Sequence, residues 1–549
     1  MTITTNWKGH LKNTMEVNKS PNILLLMTDQ QRHDTINAAG YNYMKTPNLN
    51  LDKLVEEGCL YSNAFSPNPI CIPARHNLLT GLPARFHGFA DNDFDHVIPY
   101  KLPTKAQLLS DSGYVTRAIG KMHFFPRCRH NGYDRIEFME EVPRYREEDD
   151  YAMYLKEVGL GHIQNIHGVR NLLYMVPQRS LIPEEHHGTT WVADRAINFI
   201  KNNRGRRPFF LKASWIAPHP PFDVPDSFAD LYKDTNIPEP HFSERRVPSL
   251  MEENKYIGDI PNEKYLRRMR ELYYSAITHV DYNIGRILTA LEEIGEMDNT
   301  FIIFLSDHGE LLGDYNAYQK GLPYDSCSRI PFIIRYPEKI KGGSITTDFV
   351  DLNDVLPTIL DVAGVDYPAN LELPGESLLN KGIKNKNRKY QYIEYSRDNR
   401  RWVSIRNKKY KYNYYYGGGF EELFDMTNDP HETNNLLEGK PSNDILNYKK
   451  ELKKKLIKYE KKYGLKGYIK DDNFIKMEPY VPNPCRNQIF PVFPNYIMNK
   501  EEKVQMNNFF DEVLQAVKKE PIVNLSELDI KAWQKLGNID EKIIQKILS

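Results

Sequence analysis

Short apolar runs alternate with longer amphipathic stretches from Pro21 to Tyr336, and this alternation constrains the fold more than any other feature. The apolar runs have the length of buried strands and are bounded by turn-forming or polar residues; they are Asn22–Met27, Thr116–Ile119, Phe209–Ala213, Phe301–Leu305 and Phe332–Arg335. Helical spacing of apolar residues marks four further segments, namely Leu102–Ser112, Thr190–Asn202, Tyr265–Ile294 and Asp351–Ala363. Such alternation predicts an α/β domain with a large, mostly parallel sheet sandwiched by helices.

The pattern changes after about Lys381. Short alternating runs rich in aromatic residues are typical of an antiparallel sheet; they are Tyr390–Tyr395, Trp402–Arg406, Lys409–Tyr415 and Glu422–Asp425, and a Lys- and Glu-rich helix is predicted over Asp444–Tyr463. We therefore predict four parts. Residues 1–20 are disordered or a leader added to the natural sequence, 21–380 form the α/β domain, 381–480 form a smaller C-terminal α+β subdomain with an antiparallel sheet, and 481–549 are a Pro-rich linker and a helical appendage.

Charge and cysteine content exclude several classes of function. Lys+Arg and Asp+Glu both number 73, so no net charge attracts nucleic acid or an anionic membrane. The five cysteines show no C-x-x-C spacing, which argues against a disulfide framework and against a structural zinc site. Residues 1–20 contain no apolar core of signal-peptide length, and the run Ile23–Met27 is too short to cross a membrane. We expect a cytoplasmic protein without nucleic-acid or membrane partners.

One cysteine lies where a helix is predicted to begin. Cys71-Ile72-Pro73-Ala74-Arg75 follows the loop Ser66–Ile70 and leads into the helical stretch Arg75–Thr80. Proline suits the first turn of a helix, so Cys71 is expected beside free backbone N–H groups and the positive helix end, which favour an anion. Most lone cysteines are buried structural thiols, and position alone favours that interpretation.

The spacing of the motif changes this balance. Cys71-x-Pro73-Ala74-Arg75 and the continuation His76–Gly81 resemble the signature of the sulfatase family, and further similarity extends over about Pro21 to Leu436. The resemblance implies an alkaline-phosphatase-like fold, in which residues 21–380 are the catalytic domain. It also implies that Cys71 is oxidised to Cα-formylglycine by a maturase. One hydroxyl of the hydrated aldehyde would attack sulfur, and the other would later expel sulfate.

Two polar pairs at predicted strand ends are candidates for metal binding. Asp29-Gln30 follows one apolar run and Asp307-His308 follows another, and ligands bind outside the carboxyl ends of strands in open α/β sheets. With modified Cys71 these four residues form the predicted ligand set. Its oxygen-rich character suits Ca²⁺ best, with Mg²⁺ or Mn²⁺ as alternatives. The family often carries Asp-Asp and Asp-Asn here, so this chain lowers the negative charge of the site.

The resemblance also implies a polar shell around the nucleophile. Lys121, in Gly120-Lys121-Met122-His123, would contact the diol and the sulfate, and His123 would help deprotonate the diol. His219 would hold a sulfate oxygen and protonate the leaving alcohol, while Lys320 would be the second cation on the sulfate. Arg75 would orient the diol and bind the carboxylate ligands, because a guanidinium offers a fixed fork of donors.

Three functions remain open on the sequence. The first is hydrolysis of a sulfate monoester of a sugar or another small molecule by a type I sulfatase. The alternative is a phosphonate monoester or phosphodiester hydrolase on the same scaffold; Asp29-Gln30 and Asp307-His308 favour it, whereas Lys121 and His123 count against it. The third is a non-catalytic protein that binds sulfated glycans and keeps a plain thiol at Cys71.

Overall fold

The computed structural model describes residues 20–45, 49–93, 96–143, 145–163, 166–168, 178–254, 263–368, 371–379 and 388–482. The predictions made for residues 1–19 and for the appendage after residue 482 lie outside these ranges. The boundary predicted between residues 380 and 381 also lies outside them, so the domain limits stay a prediction.

The described strands include the five that the apolar runs predicted. In chain order they are β1 (Asn22–Asp29), β2 (Cys59–Phe65), β3 (Val115–Gly120), β4 (Arg135–Phe138), β5 (Gln178–Arg179), β6 (Phe209–Pro218), β7 (Asp223–Val224), β8 (Thr300–Ser306), β9 (Phe332–Arg335), β10 (Ser344–Asp351), β11 (Gln391–Tyr395), β12 (Trp402–Arg406), β13 (Tyr410–Tyr415), β14 (Phe420–Asp425), β15 (Ile469–Lys470) and β16 (Asn473–Phe474).

The described helices lie between these strands and at the C-terminal side. They are α1 (Asn50–Glu57), α2 (Cys71–Thr80), α3 (Ala84–His87), α4 (Lys105–Asp111), α5 (Asp150–Glu157), α6 (Gly188–Asn202), α7 (Asp226–Ala229), α8 (Glu263–Glu293), α9 (Asp325–Ser328), α10 (Val355–Ala363) and α11 (Asn443–Tyr463). Short 3₁₀ turns include Ser249–Asn254 and Asp314–Asn316. Within the described ranges, no helix combines the length and the apolar character that a membrane crossing requires.

Eight strands form the main sheet in the order β10-β2-β9-β8-β1-β6-β3-β4. β1 lies at its centre and pairs in parallel with β6 on one side and β8 on the other. Only β9 among these strands runs antiparallel to its neighbours, β2 and β8. The predicted large, mostly parallel sheet is therefore confirmed.

Both faces of this sheet are covered. Successive side chains of a strand point to opposite faces, so Ile23 and Leu25 of β1 pack in a core with α2, α4 and α10, whereas Leu24 and Leu26 pack in a second core with α1, α6 and α8. Every residue of β1 is buried, which explains why its sequence reads as a continuous apolar run.

Three strands of the main sheet were not predicted, and two helices are shorter than predicted: α4 spans Lys105–Asp111 instead of Leu102–Ser112, and α10 spans Val355–Ala363 instead of Asp351–Ala363. The missed strands are β2, β4 and β10. β10 is an edge strand with a largely exposed first half, so its sequence lacks the apolar signal. The helix predicted from Asp351 begins at Val355 instead, because Asp351 belongs to β10 and its side chain accepts a hydrogen bond from the backbone of Asn353.

The C-terminal subdomain has the predicted antiparallel sheet. β11 to β14 pair in sequence order, and α11 packs Leu452 and Leu456 against Val403 and Tyr412 of this sheet. The smaller α+β unit is thus confirmed.

Candidate active site

The ends of two adjacent parallel strands and the start of one helix meet at a single point. Thr28 of β1 pairs with Ser306 of β8, so Asp29 and the pair Asp307-His308 emerge side by side. Cys71 is the first residue of α2. One ligand atom each from Asp29, Cys71, Asp307 and His308 lies within 4.8 Å of the others, and all four residues are buried. The structure therefore brings together four of the five predicted metal ligands.

Arg75 lies one helical turn after Cys71 on the same face of α2. Its Nη2 donates to Oδ2 of Asp29 at 2.8 Å and its Nε donates to Oδ2 of Asp307 at 2.9 Å. Nη1 donates to the carbonyl of Lys121 and to Oγ of Ser214. This fully buried fork holds both carboxylates.

Lys121 follows β3 and is enclosed by two carboxylates. Its Nζ lies 2.6 Å from Oδ2 of Asp29 and 2.5 Å from Oε2 of Glu141. Burial works to lower the pKa of Lys121, but these two negative charges outweigh it and raise the pKa above its usual value. In return, the charge of Lys121 helps to hold the pKa of Asp29 well below its usual value, although burial of that carboxyl acts in the opposite direction. Both groups are therefore charged at neutral pH.

Gln30 adopts a left-handed backbone conformation, with φ of 67°. Its backbone N–H donates to Oδ1 of Asp307 at 3.0 Å. Its side-chain Nε2 donates to Glu310, and its side-chain Oε1 accepts a hydrogen bond from Lys320. The oxygen that was predicted to bind metal thus carries the Lys320 ammonium. Burial works to lower the pKa of Lys320, but neighbouring negative charge, that of Asp29 included, raises it above its usual value.

Both predicted histidines face this cluster in an electrically neutral state. The Nδ1 of His219 lies 2.6 Å from the carbonyl of Pro220, and its Nε2 lies 3.6 Å from Oε1 of Glu141. The backbone N–H of His123 donates to Glu140 at 2.9 Å. Burial holds the pKa of both imidazoles well below the usual value, so at neutral pH each ring is neutral and has one nitrogen without a proton.

Sequence reasoning missed several residues of the site. Glu140 and Glu141 follow β4, just as Asp29 ends β1, so a polar pair after a strand was an available signal. Because the short strand β4 was not predicted, the pair Glu140-Glu141 was not recognised as lying at a strand end. Two further residues of the site, Glu310 and Asn92, lie in irregular loops. Asn92 accepts a hydrogen bond from the backbone N–H of Ile72 at 3.0 Å. No local sequence pattern predicts such a contact.

The donor set fits a divalent metal ion. Asp29 and Asp307 supply carboxylate oxygens, which Ca²⁺ and Mg²⁺ prefer, and the His308 nitrogen is also compatible with Mn²⁺. The Sγ of Cys71 lies 3.2 Å from Nε2 of His308 and 3.8 Å from Oδ1 of Asp29. Burial and the Asp29 charge raise the pKa of Cys71 to about 12, so an unmodified thiol here is a poor ligand and nucleophile.

Comparisons with known proteins agree with this geometry. The sulfatase family model matches residues 21–365, and a model described as N-sulphoglucosamine sulphohydrolase, C-terminal, matches residues 313–462. An arylsulfatase of Clostridium perfringens is 34% identical over 482 residues, which cover 84% of this chain and 98% of that protein. A solved sulfated-sugar complex, described as holding its substrate D-glucosamine-2-N,6-O-disulfate, is 26% identical with a TM-score of 0.66, over 81% of this chain and 98% of the other.

A phosphonate monoester hydrolase of Agrobacterium radiobacter has the same fold. It superposes with a TM-score of 0.67 at 24% identity, over 84% of this chain and all of that chain. The fold therefore does not separate the two chemistries, whereas the family model and the arylsulfatase similarity do. On those matches, the chain belongs to the sulfatase family of the alkaline-phosphatase-like superfamily and is an enzyme that hydrolyses sulfate esters.

Proposed function

We propose that this sulfatase cleaves its ester with a nucleophile at position 71, formed when a formylglycine-generating maturase oxidises Cys71. The observation that carries the proposal is the buried group of Asp29, Asp307 and His308 around the Cys71 sulfur. The thiol has a pKa of about 12 because it is buried beside Asp29, so it is un-ionised at neutral pH. A hydrated aldehyde at this position supplies a hydroxyl nucleophile instead.

The same residues would hold one divalent metal, with Ca²⁺ as the first choice. Asp29, Asp307 and His308 surround position 71, and the side-chain Oε1 of Gln30 would join them after releasing Lys320. When bound, the metal neutralises charge on the reacting oxygens and favours the ionised form of the attacking hydroxyl. Arg75 keeps the carboxylates in place from behind the site.

Lys121 and Lys320 provide positive charge for the sulfuryl oxygens. Lys121 is held between Asp29 and Glu141, so its ammonium needs little reorganisation when charge develops in the transition state. Lys320 donates to Gln30 and would share that ammonium with a sulfate oxygen. Two buried or half-buried cations beside one nucleophile suit a monoanionic ester.

His219 and His123 would handle the protons. The Nδ1 of His219 is directed at the Pro220 carbonyl, which leaves Nε2 beside Glu141 as the atom that exchanges a proton. For this atom to protonate the leaving alcohol, the ring must first take up a proton; we propose that it does so from solvent when the anionic ester binds, with the ester and Glu141 stabilising the imidazolium, and that it then passes this proton to the leaving alcohol. His123 would accept the proton that leaves the diol when sulfate is released.

The proposed substrate is a sulfate monoester of a saccharide or another small molecule. Similarity to the structure that holds a disulfated glucosamine supports the sugar. The alternative, hydrolysis of a phosphonate monoester or a phosphodiester, is favoured by Asp29-Gln30 and Asp307-His308, and Lys121 and His123 count against it.

The test combines mass spectrometry with an activity assay. The chain is produced with and without a coexpressed maturase, and the peptide that contains Cys71 is weighed. Hydrolysis of an aryl sulfate and an aryl phosphonate is then measured with and without Ca²⁺. Thiol-to-aldehyde conversion together with Ca²⁺-dependent sulfate release supports the proposal. Faster phosphonate cleavage would favour the alternative, and converted protein that cleaves neither ester would refute both.

A further inference from the structure

Lys320 lies in a segment without regular secondary structure, between the 3₁₀ turn Asp314–Asn316 and α9. Backbone polar groups in such a segment need partners from elsewhere. The side chain of Asn254 supplies two, because its Nδ2 donates to the carbonyls of Tyr318 and Lys320, both at 2.8 Å. The Asn254 carbonyl also accepts from the backbone N–H of Tyr318 at 2.8 Å. One buried asparagine therefore holds the backbone of this segment on both sides of Gln319.

The next residue, Gly321, is held by the C-terminal sheet. Nε1 of Trp402, the first residue of β12, donates to the Gly321 carbonyl at 2.8 Å, and the indole is completely buried. The Tyr395 ring packs so closely on Gly321 that an added Cβ would lie 3.1 Å from its Cζ. The N–H of Gly321 donates to the carbonyl of Pro69 at 3.1 Å, in the loop that leads to Cys71. Gly321 thus joins the C-terminal subdomain to the nucleophile loop.

We propose that Trp402 and Asn254 are positioning residues that place the Lys320 ammonium over the active site. A lysine side chain is long and flexible, so the location of its ammonium depends on where its backbone is anchored. The side-chain Oε1 of Gln30 accepts a hydrogen bond from the ammonium at the tip of the side chain, and Asn254 and Trp402 hold the backbone at its base. The inference rests on the proposed function, in which Lys320 binds the anionic ester. It gives the C-terminal subdomain a role in catalysis through a neutral indole N–H.

A double-mutant cycle tests this coupling. Trp402→Phe removes the N–H donor and keeps an aromatic ring. The substitution is made both in the wild-type enzyme and in the Lys320→Gln variant. kcat/KM is measured on whichever of aryl sulfate and aryl phosphonate the wild-type enzyme cleaves faster, in protein whose conversion at Cys71 has been verified. Because a displacement of about 1 Å can cost about 100-fold in rate, we expect Trp402→Phe to lower kcat/KM by about 10- to 100-fold with Lys320 present. With Lys320→Gln, the further loss should be less than about twofold, since coupled residues are not additive.

A second indole provides the matched control. Nε1 of Trp215 donates to the Thr189 carbonyl at 3.0 Å and is also buried, so Trp215→Phe should have the same effect in both backgrounds. The same double-mutant cycle is measured with Asn254→Leu. This second cycle serves as the test if Trp402→Phe does not fold. Equal losses in both backgrounds would overturn the inference while leaving the proposed function intact. A converted wild-type enzyme that cleaves neither ester would overturn both.

Discussion

The Nε of Arg75 lies 2.9 Å from Oδ2 of Asp307, and the same guanidinium reaches Oδ2 of Asp29 at 2.8 Å. All three side chains are fully buried. Lysine is a compact point charge that cannot bridge two carboxylates in this way. In Arg75→Lys, Asp29 keeps Lys121 as a partner, whereas Asp307 loses the guanidinium, and breaking such a buried pair costs about 3–5 kcal/mol. We expect a loss of that size in the free energy of unfolding of metal-free protein, measured with urea.

A surface pair gives the control for this substitution. Arg286 donates to Asp194 at 2.7 Å, but both side chains are more than a third exposed, so Arg286→Lys should cost less than about 1 kcal/mol. If Arg75→Lys were as stable as the control, the bridge would not contribute to the stability of the site.

Replacement of the cysteine separates chemistry from folding. Cys71→Ala should abolish turnover, because no hydroxyl nucleophile can form, and should leave a folded protein with the wild-type circular dichroism spectrum. Cys59 in β2 is equally buried, but it is not part of the group formed by Asp29, Asp307 and His308 around position 71. Cys59→Ala should therefore retain turnover. Ester hydrolysis by Cys71→Ala would rule out position 71 as the nucleophile.

The thiol of unconverted protein should resist alkylation. Burial and the Asp29 charge raise the pKa of Cys71 to about 12, so at pH 8 almost none of it is the reactive thiolate. Cys128 is exposed. With iodoacetamide at pH 8, peptide mass spectrometry should show labelling at Cys128 first and at Cys71 only after unfolding in urea. Labelling of Cys71 at the rate of Cys128 would contradict the burial of the site.

The sequence predicted most of the sheet because the central strands are apolar on both faces, as β1 shows. It predicted the cluster of Asp29, Asp307 and His308 because parallel strands bring their carboxyl ends to one edge. It did not predict Glu141, which follows the four-residue strand β4, nor the hydrogen bond from Trp402 to Gly321. Contacts between distant loops depend on the packing of two sheets, and no local pattern encodes them.

Removal of metal should destabilise the folded protein. Asp29 and Asp307 are buried and lie close together with His308, so a bound cation relieves their repulsion in the folded state only. A ligand at 100 times its Kd adds about 2.7 kcal/mol of stability. The thermal midpoint should therefore fall in EDTA and return with Ca²⁺, and Asp307→Asn should reduce this response. A midpoint that responds to neither EDTA nor Ca²⁺ would contradict a metal site.

Lys212 of β6 offers a prediction that does not depend on catalysis. It is 2% exposed, its Nζ lies 5.7 Å from the centre of the Phe124 ring, and no ion pair joins it to a carboxylate within the described ranges. Burial lowers its pKa from 10.5 to about 7. Between these two pH values the unfolded chain binds more protons than the folded one, so stability rises with pH.

Substitution of Lys212 by methionine should therefore stabilise the protein most near neutral pH. The shift corresponds to at most about 4–5 kcal/mol, and the advantage of Lys212→Met should shrink as pH rises from 7 towards 10, where the unfolded lysine also loses its proton. Urea unfolding at pH 7 and pH 9.5 measures the change. Lys201 has a half-exposed side chain, so Lys201→Met should show no such trend. An equal gain in the free energy of unfolding at both pH values would mean that Lys212 keeps its proton in the folded state. Its charged amine would then be stabilised by polar groups inside the core.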